Sequence, residues 1–182
     1  MEVIKTDIEG VVILEPRIFK DDRGYFYESF SQREFEEKVC HTTFVQDNQS
    51  MSVYGGVRGL HFQLNPYSQA KLVRCVVGKV LDVAVDVRKG SPTFGKYFSV
   101  ELSEENKRQF FIPRGFAHGF SVLSDYAVFA YLCDNAYNKE SEGGIIFNDP
   151  ELGIDWKIPQ DKMILSDKDT KHSTLKNAIL NF

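Results

Sequence analysis

The chain has little of what membrane, secreted or nucleic-acid-binding proteins require. It has no apolar run near the roughly 20 residues that cross a bilayer, and its first residues, MEVIKTD, do not have the pattern of a signal peptide. Its three cysteines form no CxxC pair, so we expect buried thiols in a reducing compartment. Acidic and basic residues are interspersed at a net charge of −4, which disfavours nucleic acid. These absences predict a cytoplasmic protein with no nucleic-acid and no membrane partner.

The sequence is instead rich in predicted strands. Its 182 residues are most simply one domain, 1–182. Turn signals recur roughly every ten residues, the spacing of a sandwich or barrel. Apolar and β-branched runs predict strands at 11–14, 24–30, 71–77, 79–87, 97–102, 109–112, 119–123 and 127–133.

Helical signals are sparse. Ser31 and Glu34 predict a capping box, and Phe30 and Phe35 a hydrophobic staple, at the start of a short helix that ends near 39–41. From about residue 149 the pattern weakens into loops and short helices. We therefore predict an all-β antiparallel jelly-roll barrel with a few short helices. Such barrels hold a ligand in the open mouth, between inward-facing side chains.

The most informative residues lie in two adjacent predicted strands. His61 is a candidate base, because an imidazole titrates near working pH. Lys71 could stabilise negative charge that develops on an oxygen, and Arg58 could bind phosphate through its planar fork. Each also has an ordinary interpretation as a core histidine, a solvated lysine or a surface ion pair.

The spacing of these residues raises a geometric question. Arg58 and His61 are three positions apart, so a regular strand would point them to opposite faces. Both reach one pocket only if the chain bulges near Gly59 or the strand begins after Arg58.

Two further side chains could complete proton-transfer chemistry. Tyr131 shares a predicted strand face with Phe129 and Cys133, where it is a core tyrosine or a general acid. Asp169 could orient an imidazole, although Ser166 and Asp169 also fit a helix-start box.

Seven ordered motifs identify a family that the chain resembles, the dTDP-4-dehydrorhamnose 3,5-epimerases of the cupin superfamily. The resemblance covers about residues 5 to 170. The motifs are DRGYF at 22–26, FVQDNQS at 44–50, VRGLHFQ at 57–63, KLV at 71–73, DVAVDVR at 82–88, SPTFG at 91–95 and IPRGFAHGF at 112–120.

The resemblance implies a cupin-type jelly roll and a homodimer with strand exchange. It also implies an enzyme that inverts C3 and C5 of a dTDP-linked 4-keto-6-deoxy sugar, with no cofactor and no metal. Protons next to a ketone are acidic because the resulting carbanion delocalises onto oxygen. A base on one face, a cation at the C4 oxygen and an acid on the other face complete the chemistry.

The resemblance also implies roles for individual residues. The implied catalytic residues are His61 as base, Asp169 as its orienting partner, Tyr131 as acid and Lys71 at the C4 oxygen. His118 would line the sugar site and Arg58 would bind the diphosphate. Implied nucleotide contacts, some across the dimer interface, and weaker polar contacts are Arg23, Phe26, Glu28, Gln46, Asn48, Tyr137, Glu142 and Lys168.

Three alternatives stay open at this point. Related epimerases with similar motifs act at one carbon only. A metal-dependent cupin needs several histidines and a carboxylate at one ion, and the four histidines include no close HxH pair. A catalytically silent binding module would not need His61, Tyr131 and Asp169 together, so their joint presence favours catalysis.

Overall fold

The computed structural model describes residues 1–182 and contains thirteen β-strands and one α-helix. No helix is both long and apolar enough to cross a membrane. The elements are β1 (Glu2–Lys5), β2 (Val12–Glu15), β3 (Phe19–Asp21), β4 (Gly24–Phe26), α1 (Gln32–Lys38), β5 (Gln46–Val53), β6 (Val57–Gln63), β7 (Lys71–Val77), β8 (Lys79–Asp86), β9 (Tyr97–Ser103), β10 (Gln109–Ile112), β11 (Phe116–Val122), β12 (Tyr126–Cys133) and β13 (Glu142–Gly144).

Two antiparallel sheets form the body of the molecule. One has the strand order β1-β2-β10-β7-β12-β5 and the other β13-β6-β11-β8-β9, while β3 and β4 form a separate hairpin. Side chains from both sheets meet in one apolar cluster that includes Val73, Phe110 and Phe129 from the first and Val80 and Phe120 from the second. The predicted antiparallel β architecture is therefore confirmed, with its main core between the sheets.

Strand β8 is buried on both faces. Val83 and Val85 pack outward into a second apolar cluster with Trp156 and Leu180 of the C-terminal segment. Asp82 faces the other way, toward His118 on β11. The period-two alternation predicted for this strand is present, and the weakly patterned segment after residue 149 covers its outer face.

The first third of the chain differs from the prediction in two places. The strand expected at 24–30 ends at Phe26. Strand β5 was not predicted, because its sequence QDNQSMSV has no apolar alternation. Its burial does alternate, and the partly buried members are polar: Gln46, Asn48, Ser50 and Ser52. These side chains point toward cavities rather than into the apolar core.

The helix start is close to the prediction. Ser31 is the N-cap and accepts a hydrogen bond from the Glu34 backbone N–H at 3.5 Å. The Phe30 and Phe35 rings lie 6.1 Å apart, as a staple requires. The box is only half formed, however, because the Glu34 carboxylate pairs with the N-terminal amino group of Met1 and with Lys38 instead.

A bulge at Gly59 resolves the question raised by the spacing of Arg58 and His61. On β11, Phe120 pairs with Arg58 and His118 pairs with His61, so two β6 residues stand opposite one β11 residue. Both Arg58 and His61 consequently line one cavity. The two backbones approach so closely that a Cβ on Gly59, at φ +131°, would lie 2.5 Å from the Gly119 Cα.

We predict that Gly59→Ala destabilises the protein by about 1–3 kcal/mol, because the added carbon overlaps backbone that cannot move aside. The free energy of unfolding from urea titration measures this loss. Gly90→Ala is the matched control, since Gly90 also has a positive φ (+88°) but has no atom within 4 Å of the added carbon. Equal losses in the two variants would contradict the importance of the close approach.

Candidate active site

A cavity of about 580 Å³ opens between the two sheets. Its walls come from β5, β6, β7, β11, β12 and the segment 164–169. The structure brings together seven of the residues predicted from the sequence, which are Arg58, His61, Lys71, His118, Tyr131, Lys168 and Asp169. A mixed apolar and polar wall of this kind suits a small polar ligand.

A smaller cavity of about 120 Å³ shares His61, Lys71 and Tyr131 with the first. It collects the predicted polar contacts Gln46, Asn48, Tyr137 and Glu142. Gln46 accepts a hydrogen bond from the Tyr137 backbone N–H at 3.1 Å, and the Tyr137 hydroxyl lies 3.3 Å from the Glu142 carboxylate. The three shared residues therefore stand where the two cavities meet.

Glu142 forms an ion pair with Lys168. Burial raises the pKa of the Glu142 carboxyl, but the Lys168 hydrogen bond and charge and the Tyr137 hydrogen bond outweigh burial and lower it overall. This pair links the segment that carries Asp169 to β13.

His61 and Asp169 form a dyad across 108 positions of sequence. The His61 Nε2 lies 2.5 Å from the Asp169 Oδ1, and the Asp169 side chain is only 4% exposed. Burial raises the pKa of this carboxyl, yet the His61 hydrogen bond and charge outweigh burial and hold it below the usual value. A carboxylate only accepts hydrogen bonds, so in the neutral imidazole the proton lies on Nε2 and the lone pair on Nδ1.

Two bridges fix the segment that holds Asp169. Gly56 pairs with Ile164 before the aspartate, and Ile145 pairs with Ser173 after it. The Ser166 hydroxyl accepts a hydrogen bond from the Asp169 backbone N–H at 3.2 Å, so the predicted turn interaction and the contact with His61 involve the same aspartate.

Sequence reasoning missed His172, which lies beside this dyad. Its ring centroid is 5.6 Å from that of His61 in an edge-to-face arrangement, and its Nε2 is 3.8 Å from the Asp169 Oδ1. The buried Nε2 has no hydrogen-bond partner. Burial and then the His61 charge lower the pKa of His172. The i, i+3 spacing from Asp169 was the available signal, because such residues eclipse in a 3₁₀ turn.

Lys71 and Tyr131 approach the cavity from the opposite sheet. Cys133 of β12 is paired with Lys71 of β7, which places Tyr131 two residues away on the same face. The Lys71 ammonium lies 5.8 Å from the centre of the Tyr131 ring. Burial lowers the pKa of Lys71, against the opposing effects of Cys133, Asp82 and Glu142. Burial raises the pKa of Tyr131, so its hydroxyl keeps its proton.

His118 is a buried neighbour of the cavity with its own carboxylate. Its Nε2 lies 3.0 Å from both oxygens of Asp82. Burial lowers the pKa of His118 and raises that of Asp82. Asp82 therefore fixes the orientation of the His118 ring through Nε2.

The remaining predicted residues lie at or beyond the cavity edge. Arg58 donates to the Ser52 hydroxyl at 2.9 Å, with its guanidinium exposed. Arg23 and Phe26 belong to the β3–β4 hairpin, where their exposed fractions are 90% and 69%. Neither they nor Glu28 line the cavity of their own chain.

Comparison with known proteins agrees with this arrangement. The sequence profile of the family described as dTDP-4-dehydrorhamnose 3,5-epimerase matches residues 5–177. A curated dTDP-4-dehydrorhamnose 3,5-epimerase from Shigella flexneri is 59% identical over 170 residues, 93% of each chain. The chain belongs to the dTDP-4-dehydrorhamnose 3,5-epimerase family.

Solved structures of the family have the same fold. The dTDP-4-dehydrorhamnose 3,5-epimerase of Elizabethkingia anophelis is 56% identical with a TM-score of 0.94, over 97% of both chains. The dTDP-6-deoxy-D-glucose-3,5-epimerase of Legionella pneumophila, in complex with dTDP-4-keto-L-rhamnose, is 50% identical with a TM-score of 0.94, over 97% of this chain and 93% of that one. The predicted cupin-type jelly roll and the predicted epimerase, an isomerase, are thereby confirmed.

Proposed function

We propose that the junction of the two cavities holds the 4-keto sugar of a dTDP-linked substrate, and that His61 and Tyr131 exchange its protons from opposite sides. One observation supports this most directly. The candidate base belongs to one sheet and the candidate acid to the other, so a sugar ring between the sheets meets them on opposite faces. Inversion at a carbon requires this opposition. The product of inversion at C3 and C5 is dTDP-4-dehydro-L-rhamnose.

The proposed steps balance without a redox partner. The Nδ1 lone pair of His61 takes the proton from the carbon next to the C4 ketone, and the electron pair left behind delocalises onto the C4 oxygen. The Lys71 ammonium stabilises that enolate. The Tyr131 hydroxyl returns a proton to the opposite face, and Asp169 stabilises the imidazolium that has formed. The imidazolium then gives its proton to solvent and the Tyr131 phenolate takes one from solvent, so both residues return to their starting forms.

The nucleotide part of the substrate is proposed to extend from this junction to the cavity edge. The exposed guanidinium of Arg58 would bind the diphosphate through its planar fork. His118 lines the sugar site, where Asp82 fixes its ring. The polar residues of the smaller cavity supply weaker contacts to the rest of the ligand.

We further propose that the enzyme is a homodimer in which the β3–β4 hairpin of one protomer contacts the nucleotide of its partner. An exposed hairpin with Phe19, Tyr25 and Phe26 on its surface is unusual unless something covers it. Strand β5 is also the free edge of its sheet, and a second copy can cover such an edge.

The function is tested by incubating dTDP-4-keto-6-deoxyglucose with the enzyme in deuterated water containing EDTA. We expect NMR to show deuterium at both C3 and C5. We expect His61→Asn to slow this exchange by about 10² to 10⁴, the usual contribution of a general base, while dTDP binding is retained. His41→Asn is the control, because His41 is exposed and lines neither cavity.

Other outcomes point elsewhere. Deuterium at one carbon only indicates a single-site epimerase. Exchange that requires added metal indicates a metal-dependent cupin, and binding without exchange indicates a binding module. Turnover within about tenfold of the wild type in His61→Asn removes His61 as the base.

Tyr131→Phe tests the acid separately. We expect the variant to retain some proton exchange through His61, because the base is intact, but to lose net inversion by about 10²-fold or more. Comparing deuterium incorporation with product formation in the same NMR experiment separates the two steps. Full inversion in this variant would exclude Tyr131 from the mechanism.

A mixed dimer tests the proposed exchange between protomers. We expect Arg23→Ala and His61→Asn to be nearly inactive alone. Co-expression of the two chains should restore about a quarter of the wild-type activity, because half of the dimers are mixed and each has one intact site. Activity no higher than the mean of the separate variants would place Arg23 outside the partner's site.

A further inference from the structure

We propose that His61, Asp169 and His172 bind a divalent transition-metal ion such as Zn²⁺, and that this ion inhibits the epimerase. Binding depends only on the three side chains. Inhibition rests on the proposed role of His61 as the base. The site is thus an inhibitory metal site at the proposed catalytic dyad, and not a cofactor site.

The three ligand atoms already lie close together. One ligand atom from each of His61, Asp169 and His172 lies within 4.8 Å of the other two. The aspartate oxygen is 2.5 Å from the first histidine and 3.8 Å from the Nε2 of the second. Tetrahedral zinc with bonds of about 2.0–2.1 Å separates its ligand atoms by about 3.3 Å. Side-chain movements of about 1 Å therefore suffice, and two imidazoles with one carboxylate are a ligand set that zinc accepts.

His172 is held in the position that a ligand requires. Its Nε2 is the one buried side-chain nitrogen or oxygen in the protein without a hydrogen-bond partner, and buried polar atoms are normally paired. Gly144 of β13 provides the space for the ring, since a Cβ there would lie 2.5 Å from the imidazole. The ring therefore packs directly on the backbone of Gly144, and its Nε2 lies 3.8 Å from the Asp169 Oδ1.

An ion can reach this position from the substrate cavity. His61 and Asp169 both line the 580 Å³ cavity, and the His61 side chain is 31% exposed. The protein supplies three ligands, so the fourth tetrahedral position is left for water on the cavity side. The ammonium of Lys168 pairs with Glu142 and so does not compete with the ion for Asp169.

Metal binding and base catalysis need different forms of His61. In the dyad, Nε2 carries the proton and Nδ1 has the lone pair. An ion that binds Nε2 takes the lone pair of that nitrogen, so the single proton of the neutral ring moves to Nδ1. No proton is released and none can be accepted from the substrate. We therefore expect loss of kcat with little change in dTDP binding.

The test uses the full-length enzyme, stripped with EDTA and desalted. Co²⁺ titration followed by visible absorbance reports binding without reference to activity, and Zn²⁺ titration by calorimetry gives the affinity. We expect one ion per chain. His172→Gln and His172→Asn should weaken binding by at least about tenfold, since even an outer-shell change costs 10- to 100-fold. The zinc concentration for half-inhibition should rise by the same factor.

His41→Gln serves as the control and should bind and respond to zinc like the wild type. Thermal unfolding confirms that the variants are folded. Unchanged Co²⁺ spectra in both His172 variants, absence of binding by the wild type, or activation by zinc would each overturn the proposal. The proposed function fails separately, through the behaviour of His61→Asn in EDTA, so the two failures are distinguishable.

Discussion

The contact between His61 and Asp169 is the interaction on which the site depends. It joins β6, about a third of the way along the chain, to a 3₁₀ turn near its end, and it determines which nitrogen of the neutral imidazole has the lone pair. The bridges from Gly56 to Ile164 and from Ile145 to Ser173 hold the turn in place. These bridges matter because the segment that carries Asp169 has little secondary structure of its own.

The two-sheet architecture determines the rest of the chemistry. The cavity lies between two sheets, and each sheet contributes some of the candidate catalytic side chains that line it. His61 and His118 come from the five-stranded sheet, and Lys71 and Tyr131 from the six-stranded sheet. Placing these groups next to an apolar core costs desolvation, which the opposing shifts in the pKa values of Lys71 and Asp82 reflect. The bulge at Gly59 then allows Arg58 to share the cavity with His61.

Much of this could be predicted from sequence, for identifiable reasons. The alternation in β8 and the apolar runs of β10 and β12 follow from burial, which residue type reveals. Strand β5 escaped prediction because its inward side chains line cavities and are therefore polar. The bulge was predicted only conditionally. Arg58 and His61 are three positions apart, so both can line one cavity only if the strand is irregular between them. The spacing of three between Asp169 and His172 was a local signal, but the approach of His172 to His61 and Gly144 depends on the fold and could not be predicted from sequence.

The dyad also shows how narrow the difference is between metal-free acid–base chemistry and a metal site in a barrel of this kind. Both use imidazole and carboxylate groups that converge on a cavity. Here the carboxylate occupies the Nε2 side of His61, which leaves Nδ1 available as the proposed basic atom. The same pairing places an aspartate oxygen between two histidines, which is the start of a ligand set. A lone pair on Nδ1 of His61 can take a proton from the substrate, whereas a lone pair on Nε2 can bind an ion beside Asp169. The hydrogen bond between Asp169 and Nε2 favours the first form.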